Sequence, residues 1–274
     1  MRAIWKGAVS FGLVNVPVRL YSATENHDVQ FRQVHREDGG RIRYQRVCSI
    51  DGEQVSYDDI AKGYETEDGQ MVVLTDEDLA DLPTRSSREI AVDKFVPADQ
   101  IDPLLLDKSY YLEPEAKAAK PYALLREALR ETDRVAIGQI VIRSRQRLCA
   151  LIPVGDALTL EVLRYAYELR DTDGLKLPGS DLAALGITDA EKALASQLVA
   201  TIETDWDPAH YRDTYHDDLL ALIERKAQGE TVASPPAEAA PEGAQVIDIM
   251  ELLKRSVEQA REERAGDTPA AASG

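Results

Sequence analysis

Residues 9–21, VSFGLVNVPVRLY, alternate Val14, Val16, Val18 and Leu20 on one face with Asn15, Pro17, Arg19 and Tyr21 on the other, the period of a half-buried strand. Pro17 has no N–H to give to a ladder, which puts that part of the strand at an edge or beside a bulge. Further strands are expected at 41–48 (RIRYQRVC), 70–74, 88–96, 108–112, 135–142, 147–153 and 158–169, with turn formers such as Asp38-Gly39-Gly40 and Asp51-Gly52 between some of them. Short strands at this density, separated by brief helices, predict a β-barrel or sandwich rather than a parallel α/β sheet. From Val135 to Pro153 the apolar pattern is too long for one strand. It reads as a hairpin with Arg143, Arg145 and Arg147 gathered around a turn at Ser144–Gln146.

The helical period appears in fewer places. Thr75 is placed to cap a turn over DEDLADL with Asp78 near the third position, and Pro121 suits the first turn of PYALLREALRET, where Tyr122, Leu125 and Leu129 share a face. From about Asp171 the pattern turns helical. TDAEKALASQLVATIE offers a capping box of Thr188 and Glu191 and an apolar stripe of Ala190, Leu194, Leu198 and Ile202. Asp207-Pro208 opens a second helix with Tyr211, Tyr215, Leu219 and Leu222 on one side. Residues 229–243 are rich in Pro, Ala and Glu and read as a disordered linker. Beyond it Val246, Ile249, Met250, Leu253, Val257 and Ala260 line one face of a helix that has no core of its own to join, and so is either frayed or a docking peptide. The expected organisation is a β core over 1–170, a helical arm over 171–228, the linker, an amphipathic helix over 244–264 and a disordered tail over 265–274.

Charge makes the picture uneven. The chain of 274 residues carries a formal charge of -17. Residues 1–50 hold eight Lys/Arg against four Asp/Glu, and residues 116–170 hold ten against six, so two basic islands stand in an acidic chain. Screening confines each field to about 8 Å at physiological salt, so a local nucleic-acid surface is compatible with the total, whereas binding by bulk electrostatics is not favoured. No run of eighteen apolar residues occurs, so no membrane span or exported precursor is expected. Cys48 and Cys149 have no pairing or ligand spacing and read as ordinary thiols of a cytosolic protein.

Catalytic motifs are missing from the sequence: there is no G-x-S-x-G, P-loop, G-x-G-x-x-G or H-E-x-x-H. His27 and His35 fall in a polar stretch, and His210 and His216 are six residues apart, which separates them on a helix. Cys48-Ser-Ile-Asp51-Gly52 looks like half of a zinc knuckle, but one Cys and one Asp do not make a structural zinc site. No enzyme, no cofactor and no metal are expected.

Five stretches taken in order resemble one family: IWKGAVSFGLVNVPVRLYSAT, VCSIDGEQVSYDDIAKGYE, FVPADQIDPLLLDKSYYLEPE, KPYALLREAL and RSRQRLCALIPVGDALTLEVLRY. Together they resemble bacterial Ku, the DNA-end-binding protein of non-homologous end joining. The resemblance implies a mainly β fold with α-helical additions: a Ku-type β-barrel core, a bridge and a C-terminal helical arm, assembled as a ring-forming homodimer. It also implies a non-catalytic role at the nucleoid, binding double-stranded DNA ends independently of sequence and recruiting the ATP-dependent end-joining ligase, ligase D. Two departures stand out. Many relatives carry C-x-x-C where this chain has Cys48 and Asp51, and many end in a Lys-rich tail where this sequence reads AGDTPAAASG.

The DNA contacts expected on this reading are Arg32, Arg36, Arg41, Arg43 and Arg46 in the first island, Arg85 and Arg88 beside Ser86-Ser87, and Arg143, Arg145 and Arg147 in the second. Arg41 and Arg43 are expected on one strand face, and the bridge between Thr84 and Phe95. Val246, Ile249, Met250, Leu253 and Val257 are expected to engage the ligase. The competing reading is a non-catalytic interaction scaffold whose barrel binds partner peptides and whose basic islands balance acidic neighbours.

Overall fold

The computed structural model describes residues 1–80, 88–143, 145–230 and 249–266, and the chain divides into two compact units, Met1–Asp171 and Thr172–Gly274. The first unit lays down β1 (Trp5–Phe11), β2 (Val14–Ser22), β3 (Lys62–Glu65), β4 (Met71–Leu74), the short helix α1 (Asp76–Ala80), β5 (Glu89–Pro97), β6 (Leu106–Pro114), α2 (Ala119–Glu131), β7 (Arg134–Ile142), β8 (Arg145–Val154) and β9 (Ala157–Leu163). The second holds α3 (Asp189–Ile202), α4 (Thr214–Ala227) and α5 (Ile249–Gly266).

Seven strands close into a barrel in the order β1, β2, β6, β9, β8, β7, β5. All neighbours are antiparallel except β1 and β5, whose parallel pairing of Ala8 with Glu89, Val9 with Ile90 and Ser10 with Ala91 completes the circle. Residues directly opposed across a ladder share a face, and one such face of every strand turns inward. Val9, Val16, Val18, Leu20, Ile90, Leu112, Ala136, Ile140, Cys149, Leu151, Leu158, Leu160 and Val162 fill the interior. Burial pushes the Cys149 thiol up to about 12, with the charge of Asp93 adding to the effect.

The 9–21 strand is two strands. Phe11 pairs with Val14 and Gly12, at φ +56°, makes the tight turn between them. Pro17 lies beyond the last paired residue of the β2–β6 ladder, Val18. Its missing N–H therefore leaves no gap in that ladder.

Helix α2 closes one end of the barrel. Tyr122, Leu125 and Leu129 join the interior cluster. The Tyr122 hydroxyl donates to the Leu112 carbonyl at 2.7 Å and accepts the Leu158 N–H at 2.6 Å, tying the helix to β6 and β9. Arg126 and Arg130 donate to the carbonyls of Asp156 and Gly155 in the β8–β9 turn.

Between β2 and β5 the chain makes a long excursion. Residues 41–48, expected as a strand, form only isolated bridges, Val34 with Arg41 and Val47 with Gln54. No described residue from 23 to 79 is buried, so the β-type side chains of this stretch have no apolar surface within the unit to fix them as a strand. Beyond it, β3 and β4 pair as a separate hairpin, and α1 begins with a box in which Thr75 accepts the Asp78 N–H and Asp78 accepts the Thr75 N–H. The stretch 88–95, where a bridge was expected, is mostly barrel strand β5; residues 84–87 lie outside the described residues.

In the second unit the capping box of Thr188 and Glu191 starts α3 as expected. Asp207-Pro208 opens only a single 3-10 turn, with the Asp207 carboxylate accepting the Ala209 N–H. Asp213 takes the capping role for α4 by accepting the His216 N–H. Tyr211 therefore lies before α4 and shares no helix face with Tyr215, and both are exposed. Helix α5 packs on α3. Among the described residues no helix is long and apolar enough to cross a membrane.

Replacing Tyr122 by Phe leaves the Leu112 carbonyl and the Leu158 N–H without a partner in a buried place. Urea unfolding should show a loss of about 1–3 kcal/mol with an unchanged m value; a loss below about 0.5 kcal/mol would mean that the hydroxyl does not hold the helix in place.

Candidate nucleic-acid interface

The end of the barrel opposite α2 is lined by cations. In the β7–β8 ladder Ile142 faces Arg145 and Ile140 faces Arg147, so Arg145 and Arg147 lie on the inward face that continues through Cys149 and Leu151. The turn is not at Ser144–Gln146 as expected, because Arg145 and Gln146 already pair in β8; Arg143, just after Ile142, adopts a left-handed φ of 50°, as the first position of a tight hairpin turn requires. On β6 the inward alternation Leu112, Tyr110, Lys108 carries a lysine to the same end, with a register shift between Leu106 and Lys108. The N-terminal residues Arg2, Ala3 and Ile4 complete the wall.

These groups surround a cavity of about 590 Å³ lined by Arg2, Lys108, Arg143, Arg145 and Arg147 together with Trp5, Tyr110, Asp107, Ile142 and Val162. Asp107, the acid in that wall, is engaged by Arg164 at 3.2 Å. Among the described residues none of the five cations has a carboxylate within 4.0 Å. The Trp5 indole N–H donates to the Val141 carbonyl at 3.1 Å, which fixes the ring at the wall. The three arginines were expected together at a hairpin tip, but only Arg143 lies at the tip, Arg145 and Arg147 being in β8; Arg2 and Lys108 were not foreseen. The parity of Lys108 with Tyr110 and Leu112 was the available signal.

The remaining expected contacts lie elsewhere. Arg32, Arg36, Arg41, Arg43 and Arg46 are all exposed on the excursion. Arg41 sits in an isolated bridge, so no strand face is shared with Arg43. The Arg46 guanidinium lies 5.3 Å from the centroid of the Tyr57 ring, a cation–π placement. Arg88 borders a separate recess with Lys6 and Glu115, which pair at 2.9 Å. Arg85 lies outside the described residues.

The knuckle-like turn at Cys48 is tied by hydrogen bonds of its own. The Cys48 N–H donates to the Glu53 carbonyl, and the Asp51 carboxylate accepts the Glu53 N–H at 2.9 Å, so Asp51 is used within its own turn. Nearby, Asp38 lies 3.0 Å from His35 and is held below its ordinary carboxylate range, chiefly by the Gly40 N–H and then by His35. Among the described residues no group of three or more His, Cys, Asp and Glu side chains could hold a metal ion. Of the docking-helix positions, Val246 lies outside the described residues, Ile249 begins α5, Met250 and Leu253 are half-buried and Val257 is buried.

Residues 10–198 match the family model described as Ku70/Ku80 beta-barrel domain. Over 264 residues the chain is 46% identical to non-homologous end joining protein Ku 2 of Saccharopolyspora erythraea, covering 96% of this chain and 86% of that protein. It is 47% identical over 264 residues to the Ku protein of Mycolicibacterium smegmatis, with 94% and 82% covered. With that of Mycobacterium tuberculosis it is 44% identical over 275 residues, with 98% and 99% covered. A cation-lined barrel and these matches, each running over most of both chains, lead to one assignment: the chain belongs to the Ku family.

Proposed function

We propose that this protein is a non-catalytic factor that binds double-stranded DNA ends without regard to sequence, as a homodimeric ring, in non-homologous end joining. Its place of action is the cytoplasm, at the nucleoid. The observation that carries this reading is the concentration at one barrel end of cations with no carboxylate partner among the described residues, on a chain whose net charge is -17. Arginines on the excursion and Arg143 at the hairpin tip supply phosphate contacts, which position a duplex and carry no sequence information. Acidic surface elsewhere repels duplex from the sides, so the duplex must be threaded from an end.

The excursion supports assembly with a second copy. Phe31, Val34, Tyr44, Val47, Ile50, Tyr57 and Ile60 are all exposed along it, more apolar surface than a free loop carries without a partner. The face of α5 that carries Met250, Leu253 and Val257 is the surface offered to the ATP-dependent end-joining ligase, ligase D. Since α5 packs on α3, a partner that takes this face displaces α3.

Three outcomes check the reading. Across a salt series, linear duplex should be retained and the same DNA circularised should not. The log-log salt slope should fall by up to about 3 when Arg36, Arg43 and Arg143 are replaced by Ala, at about 0.9 per lost phosphate contact; equal retention of circles and linear DNA sinks the proposal. In sedimentation, the wild type should show twice the 30.3 kDa chain mass, and Tyr44→Ser/Val47→Ser/Ile50→Ser should shift it toward the single-chain mass, with an unshifted variant placing the self-contact elsewhere. Leu253→Asp should weaken capture by the ligase at least tenfold in a binding titration, and full capture would remove α5 from that role.

A further inference from the structure

The two ends of the barrel are filled by different chemistry. At one end α2 inserts Tyr122, Leu125 and Leu129 into the interior cluster. At the other, the inward positions that would continue the apolar packing are Lys108, Arg145 and Arg147. Arg147 is half-buried there, while Arg145 and Lys108 are exposed at the mouth, a cluster of like charges that an entering anion relieves. A duplex is far too wide for a cavity of about 590 Å³, so its phosphates reach the rim and nothing deeper. The cavity has the size of a small-ligand site. It also pairs cations with two aromatic side chains, Trp5 and Tyr110, the combination that holds single-stranded nucleotides: charge tracks the phosphate, and a ring gives any base a face to stack on.

We propose that this barrel mouth receives the phosphate-bearing, unpaired terminal nucleotides of a single-stranded overhang, with Arg145, Arg147 and Lys108 on the phosphates and Trp5 and Tyr110 against a base. The proposal rests on the DNA-end reading and deepens it. Duplex is held by the exposed arginines, and the strand end is read by the mouth. The structure around the site favours this use. Arg164 holds Asp107 away from the five cations, and the bond from the Trp5 indole to Val141 orients its ring in advance.

The test uses the full chain with Trp206→Phe, which removes the second of the two tryptophans, so that emission reports Trp5. The probes are a 5′-phosphorylated thymidine trinucleotide, its unphosphorylated counterpart and inorganic pyrophosphate. The phosphorylated trinucleotide should change Trp5 emission saturably and bind at least tenfold tighter than the other two. Arg145→Ser/Arg147→Ser should weaken it at least tenfold with an unchanged melting temperature, and Lys108→Gln serves as the second variant if the double variant melts early. No saturable change, equal binding of the unphosphorylated oligonucleotide, equal binding of pyrophosphate, or unaltered affinity in folded variants would each overturn the proposal. Retention of linear and circular blunt duplex is measured on the same protein. End preference without trinucleotide binding overturns the mouth alone, whereas trinucleotide binding without end preference overturns the end-binding reading and leaves the mouth standing.

Discussion

The parallel pairing of β1 with β5 is the constraint on which the rest of the first unit depends. It spans only Ala8 to Ser10 on one strand and Glu89 to Ala91 on the other, yet without it the seven strands are an open sheet with two bare edges. Gly7 makes this approach possible, and Gly138 does the same for β7 on the other side of β5. A Cβ on Gly7 would collide with the Arg88 carbonyl and the Trp5 ring, and one on Gly138 would collide with the Ala91 carbonyl. Gly7 thus serves closure and the site together, because the space it leaves is also where the Trp5 ring lies.

Once the circle is closed, side-chain parity does the remaining work. Outside the register shifts in β5 and β6, every second residue of a strand faces inward, and the interior changes character along its length. Aliphatic side chains fill the middle, a helix covers one end and cations line the other. Arg145, Arg147 and Lys108 are thereby carried on strands rather than on loops, where the ladder fixes side chains with less freedom. The excursion has the opposite design. Its arginines ride on a segment with no buried residue among those described, which suits a surface completed by a partner and not one formed in advance.

Much of the barrel was legible in the sequence, since a half-buried strand writes its two faces as alternation. Val14, Val16, Val18 and Leu20 showed β2, and the spacing of Tyr122, Leu125 and Leu129 showed the covering face of α2. The Gly12 turn was missed because apolar residues continue on both sides of a two-residue turn and mask it. RIRYQRVC misled for a different reason: β propensity marks side chains that fit a pleated, half-buried surface, and here no such surface is present. At the barrel mouth, a charge near the end of a strand reads the same in sequence whether it faces water or the interior. Only the pairing of Ile140 with Arg147 settles which way that arginine points.

The closing pair has a further consequence for how the chain folds and how it can change over time. Ala8 and Glu89 meet across the whole excursion, so the last contact of the barrel is strongly non-local, a feature of slow folding. The entropy of bringing such ends together grows only logarithmically with the intervening length, about 0.6 kcal/mol for each doubling. Insertions or deletions within residues 23–80 therefore alter the stability of the barrel little, so the length of this segment is set by what it binds rather than by what the barrel needs in order to close.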